Sequence, residues 1–323
     1  MTANSSPSDA GQSPATEYRE LRAPTQALGT LIEPPICDAE LPLKNNLATA
    51  HAEMPAGSFW FDLRKVAREQ LVGDARRYTS SYRDVASFCA DQPIGTGENN
   101  SRPIVMAGHQ PTLFHPGVWF KNHTLQKVAG ECCALPINLV AARSIRVPQL
   151  RPLANLAGDD ADAPLRGTWQ SVPYDQGGET LPFEQAQIRD KDLFDHFDSG
   201  VRRLIAPLVS DPCVTALWKH AREAIARCGI AGCALAQARH ALEAEMNWQT
   251  LEIPLGVAVR GLPFTRFVME IIDEIERFQA VYNGSADHYR AWHGIRSSAH
   301  PVPNLGFQDG WYETPLWVYG NNQ

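Results

Sequence analysis

Ile104-Val-Met-Ala-Gly-His-Gln-Pro-Thr-Leu-Phe-His-Pro-Gly-Val-Trp-Phe-Lys-Asn122 passes from an apolar run, through a polar turn, into a segment of helical pattern. Ile104–Ala107 reads as a buried strand, and Pro116 opens a helix that extends to about Ala129. Ile137–Val140 is the next apolar run and reads as a second buried strand. Strand, helix and strand within about forty residues is the pattern of a crossover unit with parallel strands. The expected fold class is therefore α/β: a Rossmann-like parallel sheet core with an inserted or appended helical section.

Outward from that unit, residues 1–26 are rich in Ser, Pro, Thr and Ala and read as a disordered tail. Residues 27–190 are assigned to the Rossmann-like core, 191–292 to the helical section, and 293–323 to a loop and strand that return to the core. Within these limits, Leu28–Ile32 is expected as an edge strand closed by Pro34 and Pro35. Phe61–Ala90 is expected as a helix and Gln92–Ser101 as a loop. Ser144–Leu150, Gly167–Asp175, Glu252–Val259 and Trp311–Tyr319 are expected as further strands. Lys191–Pro207, Val214–Arg227 and Ala234–Ala244 read as helices. Phe264–Tyr282 reads as one amphipathic helix with Phe267, Ile271, Ile275 and Phe278 on a single face.

The 323 residues are 44% hydrophobic and 20% charged, an ordinary balance for a globular chain with a sizeable core. No long uncharged apolar run points to a membrane span, and Met1–Glu17 lacks the plan of a secretion signal. Seven cysteines, with Cys228 and Cys233 off zinc-site spacing, fit a reduced cytoplasmic protein better than a disulfide scaffold. A net charge of −7 argues against broad nucleic-acid binding. The charge is uneven, however. Between Arg102 and Arg151 stand Lys121, Lys127, Arg143 and Arg146 as well, against one acid, Glu131. That window suggests a small anionic ligand as partner, or else a solvated basic face. Oligomeric state is not legible.

The same window holds the polar turn. Gly108 lets the chain turn and a ligand approach the backbone. His109 and Gln110 would stand at the carboxyl end of a parallel strand, where open α/β sheets hold ligands. His115 reads either as a helix cap or as a ligand contact. The first helical amides around Gly117, with Lys121, would favour an anion. Val118, Asn122, Leu125 and Ala129 share one stripe, so Asn122 falls on the core face and needs partners. The spacing of His109, His115 and His123 matches no standard metal site, and no metal is expected. Beyond this window, Glu252 reads as a buried acid or as an outward residue of an edge strand. Arg296 and His300 lie in a Pro-fixed loop suited to binding. His115-x-Gly117 matches part of the His-x-Gly-His of nucleotidylyltransferases, with Val118 in the last position.

The Gly-His-Gln-Pro-Thr-Leu-Phe-His-Pro-Gly-Val-Trp-Phe-Lys-Asn run resembles the opening motif of the BshC family, the cysteine-adding enzymes of bacillithiol synthesis, and is similar to WbqC-like proteins. The likeness covers Gly108, Gln110, Phe114, Gly117 and Lys121. Leu251-Glu-Ile-Pro-Leu255, Gly294-Ile-Arg-Ser297 and His300-Pro-Val-Pro-Asn-Leu305 resemble phrases of uncharacterised bacterial relatives. Those relatives carry acids after the second strand, where this chain has Ala141-Ala-Arg143, and they continue past Trp317, which suggests a truncated copy. The resemblance implies an enzyme joining an amine, thiol or amino acid to an anionic, sugar- or nucleotide-like substrate. His109 would be base or orienter, Gln110 a substrate partner, and Arg296 and His300 would close the site. Nucleotidyl transfer is the second enzymatic expectation, and a non-catalytic binding protein or remnant the third. The cofactor is unknown, a nucleotide being compatible with either enzymatic reading.

Overall fold

The computed structural model describes residues 22, 24–26, 29–85, 102–110, 116–140, 144–145, 149–150, 153–154, 168–169, 172–176, 181–206 and 209–316. The two apolar runs form adjacent parallel strands, β1 (Ile104–His109) and β2 (Leu135–Val140), with α3 (Pro116–Glu131) between them in the chain. Ile104 stands opposite Leu135 and His109 opposite Val140. A third parallel strand, β9 (Leu251–Pro254), joins the far side of β2 with Glu252 opposite Asn138. The described fold is mixed α/β, with a small three-stranded parallel sheet in the order β1-β2-β9.

Residues opposite one another in a parallel ladder share a face, and the two faces of this sheet differ in kind. On one face, Leu135, Ile137, Leu251 and Ile253 pack against Val72 and Ala75 of α2 (Phe59–Ser80). Each such side chain contributes about 1.5–3 kcal/mol by leaving water. The N-terminus of α2 is fixed by Ser58, whose side chain accepts from the Phe61 amide at 3.2 Å. Near its C-terminus, the Thr79 hydroxyl donates to the Glu252 carbonyl (3.2 Å) and accepts from the Glu252 amide (2.9 Å). A single side chain thus occupies the free edge of β9 and blocks further pairing there.

The opposite face carries His109, Asn138, Val140 and Glu252, and α6 (Ala231–Glu245) lies against it, with Ala236 packed on Val140. The other side of α6 supplies Leu235, Ala238 and Leu242 to a second core. That core is filled by Phe194, Phe197 and Val201 of α4 (Lys191–Ile205) and by Leu217, Trp218 and Ala221 of α5 (Val214–Cys228). Phe197 and Trp218 sit with ring centres 4.3 Å apart, and Trp119 of α3 packs against the cluster. The helical section therefore shares α6 with the sheet. Asp190 caps α4 by accepting from the Leu193 amide at 2.9 Å, and Gly229 ends α5 with φ 69°.

Several expectations are corrected. The helix α1 (Glu40–Glu53) stands where no element was expected. No strand forms over the described residues 29–32. Ser144–Ile145 (β3), Gln149–Leu150 (β4) and Leu153–Ala154 (β5) are short pieces. They pair antiparallel with Leu181–Pro182 (β8), Val172–Pro173 (β7) and Thr168–Trp169 (β6) as a nested arm apart from the parallel sheet. The strand expected to reach Val259 ends at Pro254, and α7 (Leu255–Ala258) follows. The long amphipathic helix is two helices, α8 (Leu262–Asp273) and α9 (Ile275–Trp292), interrupted at Glu274 (φ −113°, ψ 31°). Trp311–Tyr312 (β11) pairs with Phe307–Gln308 (β10) rather than with the parallel sheet. Its turn, Asp309-Gly310, has positive φ at both residues, the geometry of a two-residue hairpin.

Candidate functional site

β1 continues through Gly108 and His109, so Gly108 is a strand residue and not the turn. A Cβ there would stand 3.2 Å from the Leu139 carbonyl oxygen, which explains glycine by the closeness of β2. The strand thereby delivers His109, buried, onto the polar face at its carboxyl end. His109 Nδ1 lies 2.7 Å from the Gln110 carbonyl, an acceptor only, so Nδ1 carries the proton. Nε2 then holds a lone pair, approached by Asn138 Nδ2 at 3.3 Å. Burial, and after it the charge of Arg239, lower the pKa of His109 below its ordinary 6.5. The ring is uncharged at neutral pH, with a basic nitrogen turned to the site.

Asn138 Nδ2 also donates to Glu252 Oε1 at 2.7 Å, across the register that pairs their strands. Arg239 of α6 joins two carboxylates. Its Nη2 donates to Glu252 Oε1, and its Nη1 donates to Glu243 Oε1 at 2.7 Å. Glu243 Oε1 further accepts from Asn122 Nδ2 (2.7 Å) and Trp119 Nε1 (2.9 Å) of α3. The arrangement is a line, Asn122–Glu243–Arg239–Glu252–Asn138, with every member almost wholly buried. Burial alone would raise the pKa of Glu252, but Arg239, His240 and the bond from Asn138 outweigh it and hold the value at about 2. Burial works against the charge of Arg239, and the two carboxylates override it and hold its pKa above the ordinary value.

A second line reaches Glu252 from the end of α2. Tyr82 Oη lies 2.7 Å from His240 Nδ1 and 3.3 Å from Glu252 Oε2. Arg83 Nη1, a donor only, lies 2.9 Å from His240 Nε2, and Thr250 Oγ1 lies 3.0 Å from the same nitrogen. The Thr250 carbonyl also lies 3.0 Å from that nitrogen, so Nε2 faces a donor in Arg83 and an acceptor in Thr250, and Tyr82 Oη bridges His240 Nδ1 and the Glu252 carboxylate. Burial pushes His240 down to about 4 and, with the charge of Glu252, pushes Tyr82 well above 10.

Three atoms of the first line have no partner: Asn122 Oδ1, Asn138 Oδ1 and Arg239 Nε are buried and without a hydrogen bond among the described residues. Amide flips do not relieve the asparagines, because each nitrogen already faces a carboxylate that only accepts. Two acceptors and one donor are thus left open on one cluster.

Of the residues singled out from sequence, the structure brings Gly108, His109, Gln110, Asn122 and Glu252 to this cluster or its edge. Of the stripe expected on α3, Asn122, Leu125 and Ala129 are buried, and the side chain of Val118 lies outside what is described. Glu252 is the buried acid of its two readings. Gly117 and Lys121 are exposed on α3. Arg296 and His300 are exposed in a loop fastened to α9 by Arg290. The guanidinium of Arg290 donates to the carbonyls of His300 (3.0 Å), Ser298 (2.8 Å) and Val302. No hydrogen bond between described residues joins that loop to the cluster. His115 and Phe114, the residues Ala141–Arg143, and the basic residues Arg146 and Arg151 lie outside the described residues. Arg239, Glu243, Tyr82, Arg83, His240 and Asn138 were not foreseen. Among the described residues, no group of three or more His, Cys, Asp or Glu is placed to hold a metal ion, and no helix is long and apolar enough to cross a membrane. Comparison with protein-family models, curated proteins and solved structures found no match.

Proposed function

We propose that this chain is a small-molecule enzyme that joins an amine, thiol or amino acid to an anionic substrate, on a Rossmann-like core in the cytoplasm. The observation that carries this reading is the group of unpartnered atoms beside a neutral histidine. Asn122 Oδ1 and Asn138 Oδ1 call for N–H or O–H donors, as an amine or hydroxyl supplies, and Arg239 Nε calls for an acceptor. His109 Nε2 is the general base in this scheme. Asn138 Nδ2 makes two bonds, and the one to His109 Nε2 is the longer (3.3 Å against 2.7 Å to Glu252) and yields to a substrate proton. Glu243, Arg239 and Glu252 are paired to one another and serve as the scaffold that orients the asparagines. Gln110 is a substrate partner, and Lys121, exposed on α3, is the anion contact.

Native mass spectrometry of the purified chain beside His109→Ala tests the reading. A compact wild type carrying a small molecule, with an equally compact variant lacking it, is the expected result. Equal occupancy in both, or an empty wild type that stays empty across a panel of amines and amino acids, would remove His109 and the open acceptors from any ligand role. Because the pKa of His109 lies below 6.5, binding should hold constant from neutral pH down past that value before it declines.

A further inference from the structure

The N-terminal parts of α2 and α8 bound a cleft of about 380 Å³. Its walls are Leu63 and Ala67 from α2, Phe264 from α8, and the edge-to-face rings of Trp60 and Phe267, whose centres lie 6.3 Å apart. Trp60 and Phe267 are each 43% exposed, so the mouth holds two large apolar side chains in water. Arg64 and Gln70 are the polar residues of the lining. Gln70 is already engaged: its Nε2 donates to Asp74 Oδ2 at 3.3 Å, and its amide lies where a Cβ at Gly261 would stand. Arg64 differs. It is half-buried, it is the only charged residue in the lining, and it makes no hydrogen bond or ion pair among the described residues. One turn on, Arg68 donates to the Arg102 carbonyl and meets no acid. Burial, and after it the charge of Arg64, lower the pKa of Arg68, so the two cations stand close enough to repel.

We propose that this cleft binds a medium-chain carboxylate, with the carboxylate on the Arg64 guanidinium and the alkyl tail among Trp60, Phe264 and Phe267. Charge selects the headgroup. A half-buried cation with no acid in its surroundings favours an anion, and a guanidinium matches a planar carboxylate through two parallel N–H···O bonds. The walls select the tail, since apart from Gln70 the rest of the lining is apolar and aromatic. Size limits its length. At roughly 30 Å³ for each non-hydrogen atom, the share that a water takes in the liquid, the cleft holds about a dozen, the size of octanoate or decanoate.

None of the residues that line the cleft belongs to the polar face of the sheet. The site is therefore independent of the chemistry proposed for His109, and either can fail without the other.

Isothermal titration calorimetry of the purified chain with sodium octanoate, beside uncharged 1-octanol, tests the site. The expected result is one octanoate bound per chain, octanol bound about tenfold more weakly, and a loss of similar size for octanoate with Arg64→Gln. Equal binding of octanoate and octanol, or an Arg64→Gln chain that binds octanoate as the wild type does, would overturn the proposal. So would an absence of octanoate binding; joined to concentration-dependent dimerisation, that result would give the cleft to a second copy of the chain. A diazirine-bearing octanoate analogue, irradiated on the wild type, places the ligand. Label is expected on peptides holding Trp60 to Leu71 or Pro263 to Phe267, displaced by excess octanoate. Label confined to the exposed face of α9 around Val281 and Tyr289 would overturn the assignment. The octanol comparison and the labelling use the wild-type chain, so both remain decisive where the variant fails to fold.

Discussion

Arg239 carries its charge where solvent scarcely reaches, and its two carboxylate partners are as deeply buried. Removing one partner of such a group leaves an uncompensated charge, at a cost of about 3–5 kcal/mol. Arg239→Met should therefore lose about that much in urea denaturation, whereas replacing Arg239, Glu243 and Glu252 together by apolar residues of similar volume should cost far less. His240 supplies a pH signature. Folding lowers its pKa from 6.5 to about 4, so the unfolded chain takes the proton first. Stability is intact above about pH 6.5, falls as pH drops through that window, and levels off below 4, a loss on the order of 3 kcal/mol. Glu252, lowered from 4.5 to about 2, adds a further loss as pH falls through that lower range. His240→Asn should flatten the decline between 6.5 and 4 and leave the lower one in place. His109, Asn122 and Glu252 were legible in the sequence because each interrupts an apolar run or stripe. Arg239 and Glu243 were not, since an Arg and a Glu four apart on a helix ordinarily mark a solvated face. The available signal was the alanine and leucine around them in Ala231–Glu245, which leaves no polar face for a solvent pair to occupy.

At the scale of elements, α2 links the apolar face of the sheet to the polar one. It buries Val72 and Ala75 against β2 and β9, and its end sends Thr79 and Tyr82 to Glu252. Ser58→Ala should cost about 0.5–2 kcal/mol through loss of the cap, measured as a shift of the denaturation midpoint with an unchanged slope. The strand–helix–strand unit was legible because its apolar runs are short, buried and bounded by Gly and Pro. Periodicity failed at Glu274, because spacing reports which side of a segment is apolar and not whether its backbone is continuous. It also failed for the described pieces between 144 and 182, which pair in two-residue steps too short to show alternation. β10 and β11 were half seen: the aromatics of Trp311–Tyr312 suggested a strand, but its partner, Phe307–Gln308, is only two residues long.

Among the described residues, burial is concentrated on α6, which packs on the polar face of the sheet and into the helical core, and it thins toward α8 and α9. There Phe267, Met269, Ile272, Val281 and Trp292 remain exposed. Amide exchange followed by mass spectrometry should accordingly find the slowest amides in α6 and β2 and faster ones in α9; equal protection of α6 and α9 would contradict this grading. The two-faced sheet also bears on how the sequence is free to drift. Where Ile137, Leu251 and Ile253 meet α2, one aliphatic residue can stand in for another with modest loss, so substitutions there accumulate singly. On the other face the loss of Arg239 is not a neutral step, because it leaves Glu243 and Glu252 as two buried carboxylates without their shared cation. Descendants of this chain would therefore keep Arg239 or exchange it together with its acids, and such joint change would mark the polar face more plainly than the identity of any one residue.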